Sequence, residues 1–315
     1  MKILLGWFLC ASMMLASVLS PLHKIEAGGI VQNIALVQNE IIVGTSAGTL
    51  DVYSAHDAHK VFGYTFEKIK DFTGDEVAPK VFSVDALKGR FIAVVQASNG
   101  ARELYSVSKG KAERIIAADK NWFIAKARFV DERHVLIALL SNEVILWDMA
   151  EGKALYQYQV NPSHFSDFAL NDTKTLVALS CESGEISIAD VRTGKITKVL
   201  KGGNVDNVYK VDFKKSAVSC AGQDRRGIVY ELNSGAYERY DGSFLIYAGA
   251  LSPSEALVAF ASNEENDIVV FHRATKAKHH ILKGQKSTLN TIIFVSEKEL
   301  ISSSDDATIM IWRLP

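Results

Sequence analysis

Short stretches in which apolar and polar residues alternate recur along almost the whole chain. The last of them covers residues 301–314, where a serine-rich strand and a turn at Asp305 and Asp306 precede a second alternating strand ending at Trp312. Alternation with a period of two is typical of a β-strand with one buried face, and two such strands around a polar turn predict a hairpin. The two aspartates are therefore interpreted as turn formers, which bond to their own backbone, rather than as a catalytic pair.

Strands equivalent to the last one repeat at a nearly constant interval. Five of the six intervals between them are 41 or 42 residues long, and the first interval is 52 residues long. Units of about 40–45 residues with four short strands are typical of β-propeller blades. We therefore predict an all-β fold, a seven-bladed β-propeller that forms a single domain over residues 21–315. The landmark residues of the seven repeats are Tyr53, Tyr105, Trp147, Ala189, Tyr230, Phe271 and Trp312.

The last repeat ends at Pro315, three residues after its landmark, and has no room for a fourth strand. An incomplete blade would expose an unpaired backbone edge, which proteins avoid. The segment at residues 22–27 precedes the first repeat and is free to fill this place. We expect the ring to be closed by this N-terminal strand.

The 52-residue interval leaves about ten extra residues, which fall within residues 64–79. In a propeller, this connection from an outer strand to the next inner strand lies on the same face as the turns between second and third strands. An insertion there enlarges the loops of one face, and loops of this kind commonly carry function.

The N-terminus differs in kind from the repeats. Lys2 is followed by an uncharged, mostly apolar run over residues 3–22, with the small residues Ala16, Ser17 and Ser20 near its end. This pattern predicts a signal peptide over residues 1–20, cleaved near Ser17 or Ser20. The run is also long enough for an uncleaved membrane anchor. Both alternatives export the body of the protein, so we expect a periplasmic location.

The composition excludes some classes of partner and of scaffold. The chain has 35 basic and 36 acidic residues, so it lacks the positive field that attracts nucleic acid. Of its three cysteines, Cys10 lies in the leader. Cys181 and Cys220 are interpreted as small buried residues, with a disulfide between them as the alternative.

Two segments resemble the motifs of WD-repeat proteins, namely residues 144–148 (Val-Ile-Leu-Trp-Asp) and residues 305–312. The resemblance implies a propeller that presents a rigid face to other proteins. In that family, a Gly-His pair between blades joins a hydrogen-bonded network with an Asp, a Ser or Thr and the Trp. The matching loops here, residues 201–204 and 283–286, contain no histidine. We therefore expect that this network cannot form in its usual way and that blade packing relies more on apolar contacts between sheets.

Charged residues at equivalent turns before the third strand are the candidate partner-binding residues. These residues are Arg102, Glu182, Arg225 and Arg226, and the repeat phase predicts that they ring one face. Such a ring suits a protein partner or an anion, and the alternative is ordinary surface charge.

Motifs of catalysis and of metal binding are not found in the sequence. It has no phosphate-binding glycine loop, no Gly-x-Ser-x-Gly elbow and no His-Glu-x-x-His. His56 and His59 are interpreted as solvated turn residues, and His279 and His280 form the other close pair. We therefore predict a non-enzymatic protein with no catalytic, cofactor-binding or metal-binding residues.

The predicted function is that of an exported protein-interaction platform, and a resemblance at the level of the whole chain makes this prediction more specific. The leader, the WD-like blades and the compact length resemble accessory proteins of periplasmic nitrate reductases. This resemblance implies a role in nitrate respiration with a periplasmic reductase or its maturation factor as partner. We expect the protein to be a monomer. The alternatives are an outer-membrane assembly scaffold and a quinoprotein-type oxidoreductase, whose blade signature residues 189–195 faintly resemble.

Overall fold

Seven antiparallel sheets follow one another around a central axis in the computed structural model, which describes residues 16–98 and 100–315. The inner strands contact each other in sequence order, and the inner strand of the seventh sheet contacts that of the first. This arrangement confirms the seven-bladed propeller. Most of the predicted leader, including Cys10, lies outside the described residues. Within the described part of the chain, no helix is long and apolar enough to cross a membrane.

Each blade is a meander of short strands whose order in the sheet is their order in the chain. From the innermost strand outward they are Val31–Val37, Glu40–Thr45, Thr49–Ser54 and Lys60–Thr65 in blade 1; Val81–Leu87, Arg90–Gln96, Arg102–Ser108 and Lys111–Ile116 in blade 2; Ile124–Phe129, His134–Leu139, Glu143–Asp148 and Lys153–Gln159 in blade 3; Phe165–Leu170, Leu176–Cys181, Ile186–Asp190 and Ile196–Leu200 in blade 4; Val208–Phe213, Ala217–Gly222, Arg226–Glu231 and Tyr237–Asp241 in blade 5; Gly249–Leu251, Leu257–Ala261, Ile268–His272 and Lys278–Leu282 in blade 6; and Leu289–Ser296, Glu299–Ser304 and Thr308–Arg313 in blade 7. All seven landmark residues lie in third strands, as predicted.

The ring is closed by the N-terminal segment. His23–Glu26 pairs antiparallel with Thr308–Arg313 and supplies the fourth strand of blade 7. Ile25 lies opposite Ile309 and is buried in the apolar layer between blades 7 and 1. The predicted closure is therefore confirmed, and it satisfies the backbone edge that the last repeat would leave open.

A second N-terminal strand was not predicted. Ser17–Leu19 pairs parallel with Lys278–Leu282 and becomes a fifth strand of blade 6. The carbonyl oxygen of Leu19 accepts a hydrogen bond from the Lys283 backbone at 3.0 Å. The N-terminal segment thus pairs with blade 6 first and with blade 7 afterwards, so it ties the two blades together.

The insertion between blades 1 and 2 forms a small hairpin of its own. Its strands, Ile69–Lys70 and Glu76–Val77, pair only with each other. A 3₁₀ turn, Ala118–Lys120, follows the outer strand of blade 2. The position of the insertion agrees with the 52-residue interval in the sequence.

The polar network of blade 7 does not form in the usual way, as expected, because a glutamine takes part in place of the histidine. Gln285 occupies the loop position of the absent histidine and is almost completely buried. Its amide nitrogen donates to Ser304 Oγ, and its amide oxygen accepts from Ser302 Oγ at 3.1 Å. Trp312 Nε1 in turn donates to Ser302 Oγ at 2.9 Å. An amide can take the place of an imidazole here because it also offers N–H donors together with an acceptor.

Asp306 connects this network to the turn of the last hairpin. Its Oδ1 accepts hydrogen bonds from the Thr308 backbone and from Ser304 Oγ, both at 2.7 Å. The interpretation of Asp306 as a turn former is confirmed. Asp305 Oδ1 accepts from Asn290 Nδ2 at 3.2 Å, so this carboxylate also supports local structure.

In blade 5, hydrogen bonds also connect the preceding loop to the third strand and to the turn before it. Asn204 Nδ2 donates to Asp224 Oδ1 at 3.0 Å, and Asp224 Oδ2 accepts from the Val205 backbone at 2.9 Å. The hydroxyl of Tyr230 accepts from the Gly203 backbone at 2.8 Å. Side chains other than histidine therefore hold the loop against the third strand.

Apolar contacts between neighbouring sheets stabilise the fold in addition to these hydrogen bonds. A continuous layer of buried residues separates each blade from the next, and the burial of this surface is the main favourable contribution to folding. Cys181 and Cys220 are both buried and unpaired, which confirms the interpretation as small core residues.

Candidate interaction surface

The meander of each blade divides its connections between two faces of the propeller. The turns from second to third strands and the connections from outer strands to the next inner strands lie on one face. This face includes the hairpin inserted after blade 1, and we call it the insertion face. The other turns lie on the opposite face.

The four predicted partner-binding residues lie at second-to-third-strand turns, and therefore on the insertion face. Arg225 is exposed in the turn of blade 5 with a φ of 62°, and its carbonyl oxygen accepts from the Gly242 backbone at 2.9 Å. Glu182 is exposed in the turn of blade 4. Their role in binding a partner stays a prediction.

The other two arginines are engaged in the structure. Arg102 stacks its guanidinium 3.7 Å from the Phe82 ring centroid and donates to the Ile124 carbonyl oxygen at 2.9 Å, so it joins blade 2 to blade 3. Burial lowers the pKa of Arg102 to about 10. Arg226 donates to the Gly203 carbonyl oxygen at 3.2 Å. These contacts leave Arg225 and Glu182 as the more accessible charges of the set.

Exposed large apolar side chains distinguish the two faces. Five lie on the insertion face, four of them in outer-to-inner connections and one in a second-to-third-strand turn. Within the described residues, the turns of the opposite face carry none, and the remaining exposed ones lie on outer strands or in the N-terminal segment. Singly exposed apolar residues are normal on a protein surface, and their concentration on one side makes the insertion face the candidate for contact with a partner. The five are Ile30, Phe72, Phe123, Leu140 and Val205.

Phe72 has the largest exposed fraction of these residues, 96%, and lies at the tip of the inserted hairpin. The hairpin below it is ordered by Asp71, whose Oδ1 accepts from the backbone of Thr73 at 2.9 Å and of Asp75 at 3.1 Å. A hydrogen bond from the Thr73 side chain lowers the pKa of Asp71. The aromatic ring is thus presented by a turn that holds a defined shape.

A cleft of about 530 Å³ lies between the base of this hairpin and blade 2. Phe66 forms part of its lining and packs against Tyr105, with ring centroids 5.3 Å apart. The Tyr105 hydroxyl donates to Glu103 Oε2 at 2.7 Å, and Arg114 lies 3.1 Å from Glu103 Oε1. Burial, together with Glu103, raises the pKa of Tyr105 to about 12. The cleft can accept a side chain between an aromatic wall and a charged rim.

Sequence reasoning missed an aromatic cluster on the same face. Tyr209 and Tyr247 stack with ring centroids 4.8 Å apart, and Phe244 packs against Tyr247 at 6.4 Å. All three are half-buried, and two of them lie in the connection from blade 5 to blade 6. The run of apolar residues at 244–248, in a segment that is not a strand, was the available signal.

The histidine pairs do not assemble a metal site. Among the described residues, no group of three or more His, Cys, Asp or Glu side chains is placed to hold a metal ion. His59 Nδ1 lies 2.6 Å from Asp57 Oδ1 in an exposed turn. His280 is buried in the outer strand of blade 6, where its Nδ1 shares a hydrogen bond with Ser17 Oγ at 2.5 Å. Burial, together with the charges of His279 and His272, lowers the pKa of His280 to about 4.

Comparison with known proteins agrees with the WD-like features. No protein-family model matches the chain. It is similar to the WD repeat-containing protein SL1-17 of Schistosoma mansoni, with 23% identity over 183 residues that cover 56% of this chain and 60% of that protein. The chain therefore matches less than two thirds of the relative's length. The relative and the seven blades together support a WD-repeat-like propeller.

Proposed function

We propose that this protein is a non-enzymatic interaction platform that binds a protein partner through its insertion face. The one-sided distribution of exposed apolar side chains carries this proposal. Binding energy in protein complexes is concentrated in a few buried aromatic or apolar anchors surrounded by polar residues. Phe72 is suited to act as such an anchor because it is held at the tip of an ordered hairpin, clear of the blades.

The charges of the insertion face are suited to steer the partner. Arg225 and Glu182 are exposed, and charges at the rim of an interface act mainly on the association rate and on specificity. Arg102 and Arg226 contribute less directly because their guanidinium groups hold neighbouring loops and blades.

The finer form of the proposal is an exported accessory factor for periplasmic nitrate reductase, similar to the accessory protein NapL. The apolar leader and the resemblance of the whole chain to that protein support it. In this form the partner is the reductase or its maturation factor, and the protein contributes no redox chemistry of its own.

Affinity capture from periplasmic extract tests both levels of the proposal, namely binding through the insertion face and the link to nitrate reductase. The full chain carries a C-terminal tag and is compared with Phe72→Ser, with Arg225→Glu and with Leu155→Ser, an exposed apolar position on the outer strand of blade 3. We expect Phe72→Ser to reduce capture of the nitrate reductase or its maturation factor at least about tenfold and Arg225→Glu to reduce it less, because one buried anchor contributes more than one rim charge.

The outcomes separate the two levels of the proposal. Capture that survives Phe72→Ser as well as it survives Leu155→Ser contradicts the insertion face as the binding surface. Capture of a different protein that is lost with Phe72→Ser leaves the platform in place and contradicts the link to nitrate reductase. Retention of the tagged chain in the cytoplasm contradicts export.

A further inference from the structure

The central channel of the propeller contains a cavity away from the insertion face. Its volume is about 450 Å³, and it is lined by inner strands of all seven blades. It reaches the turn between the first two strands of blade 4, so it lies towards the opposite face. Cavities of a few hundred Å³ are in the range of small-molecule sites.

The cavity is lined by more cations than carboxylates. Its cations are Lys126, Arg128, Lys174, Lys210 and Lys214, and its carboxylates are Asp85, Asp167, Asp172 and Asp212. Such an excess is notable because the chain as a whole is balanced, with a formal net charge of −1. A charged cavity with protein walls concentrates ions of the opposite sign.

Three of the four carboxylates are occupied by structural contacts. Each accepts a backbone N–H of the following blade: Asp85 from Phe129 at 2.8 Å, Asp167 from Val211 at 3.3 Å, and Asp212 from Leu251 at 2.9 Å. Burial also raises the pKa of Asp85, which disfavours its charged form. These side chains hold the ring together, and the other oxygens of Asp167 and Asp212 each pair with one lysine, Lys126 and Lys214.

Lys126 and Lys210 share a single carboxylate. Lys126 Nζ lies 2.6 Å from Asp167 Oδ1 and donates to the Phe168 carbonyl oxygen at 2.7 Å. Its third N–H has no hydrogen-bond acceptor among the described residues, although the ammonium lies 5.2 Å from the Phe168 ring centroid. Lys210 forms no hydrogen bond or ion pair within the part of the chain that the structure describes. Burial, together with the charges of Arg128 and Lys210, lowers the pKa of Lys126 to about 8 against the opposing effect of Asp167. Lys210 thus adds an unpaired positive charge to the cavity that also holds the Lys126–Asp167 pair.

We propose that the channel binds a small oxyanion, a phosphate or a small di- or tricarboxylate, between Lys126 and Lys210. Hydrogen bonds from ammonium groups to anionic oxygens are strong where water is largely excluded, and Lys126 is only 14% exposed. Lys174 and Lys214 lie nearer the mouth, where Lys214 is 3.3 Å from Asp212 and Lys174 donates to the Phe129 carbonyl oxygen. They add positive potential along the path of entry.

Calorimetric titration of the full chain with inorganic phosphate, and separately with succinate, tests this site at constant ionic strength in potassium chloride. We expect one of the two anions to bind with defined stoichiometry and to raise the melting temperature above that in chloride alone. Lys210→Ala should raise the Kd at least about tenfold, since it removes a charged donor. Lys210→Arg should retain binding, because it keeps the charge.

The control is Lys195→Ala, an exposed lysine next to the outer strand of blade 4, which should bind like the unchanged protein. The two anions distinguish a phosphate site from a carboxylate site. If neither anion binds more tightly than chloride, or if Lys210→Ala binds as well as Lys195→Ala, the site is not an anion site. Should Lys210→Ala fail to fold, Lys210→Gln, whose polar side chain is one atom shorter than lysine and carries no charge, replaces it in the same comparison.

Discussion

Blades 3 and 7 each have a tryptophan at the same place in the sheet but hold it differently. Trp147 lies opposite Val135, and Trp312 lies opposite Leu300, and both indoles are almost completely buried. Trp312 Nε1 donates to Ser302 Oγ at 2.9 Å, whereas Trp147 Nε1 has no hydrogen-bond partner among the described residues.

One side chain on the second strand accounts for the difference. Two residues after the partner of each tryptophan, blade 7 has Ser302 and blade 3 has Ile137. Isoleucine offers no acceptor, so the indole of blade 3 packs edge to face against Trp122 with ring centroids 5.8 Å apart. The same blade can therefore be stabilised by a polar network or by apolar and aromatic contact, and this chain uses both.

The largest expected effect comes from removing the closing strand of blade 7. Deletion of residues 22–29 exposes the edge of Thr308–Arg313 and removes the buried side chain of Ile25. All four strands of blade 3, in contrast, come from one continuous stretch of the chain. We expect a loss of at least about 4 kcal/mol, from the apolar area of Ile25 and the lost backbone hydrogen bonds. Thermal and urea unfolding measure it. A chain that starts at residue 21 is the control, and an unchanged melt after the deletion would contradict closure by this strand.

The next effect concerns the centre of the network. Gln285→Ala leaves the buried hydroxyls of Ser302 and Ser304 short of partners, and we expect a loss of about 2–4 kcal/mol. Urea unfolding compares it with Gln159→Ala, an exposed glutamine in blade 3. Equal stability of the two variants would mean that Gln285 does not replace the histidine of the related motif.

A smaller effect separates the two tryptophans directly. Phenylalanine in place of either one removes similar apolar volume, but only Trp312→Phe also removes a hydrogen bond. We expect Trp312→Phe to be more destabilising than Trp147→Phe by about 1–2 kcal/mol. The same difference should disappear in a Ser302→Ala background. If it persists there, packing and not the hydrogen bond distinguishes the blades.

The smallest expected effect on stability near neutral pH concerns His280, in the outer strand of blade 6, next to blade 7. Its pKa of about 4 in the folded protein is below the ordinary value of 6.5. The unfolded chain therefore binds a proton first, so this contribution to stability is complete above pH 6.5 and is lost as the pH falls towards 4. Urea unfolding between pH 7.5 and 4.5 should show a shallower decline for His280→Gln. Gln159→Ala, an exposed position without a titratable group, should retain the original pH dependence.

Features that depend on local order along the chain were predictable. The interval between landmarks located all seven third strands, the long first interval located the inserted hairpin, and the short last repeat indicated the closing role of residues 22–27. Each of these follows from alternation and spacing, because strand pairing within a meander joins neighbours in the sequence. The second N-terminal strand was not predictable in this way, since three residues are too few to show a pattern.

The candidate surface was predictable only in part. The repeat phase assigned Arg102, Glu182, Arg225 and Arg226 to one face, but it could not show that Arg102 stacks on Phe82 or that Arg226 holds a loop. Those contacts join residues about 20 apart in the chain. Exposure of Phe72 likewise depends on how the inserted hairpin stands on the blades.

The amino-acid sequence alone decides the number of blades, the position of the insertion and the source of the closing strand, because these are properties of periodicity and of chain length. Tertiary structure decides which side chains meet across blades. It brings Gln285, in the loop between blades 6 and 7, to the network of Ser302 and Trp312, and it places Lys126 and Lys210, on the inner strands of blades 3 and 5, in one cavity. Such contacts join residues that are distant in the chain. The spacing of the repeats shows which strand a residue occupies, but it does not show which partner its polar atoms contact.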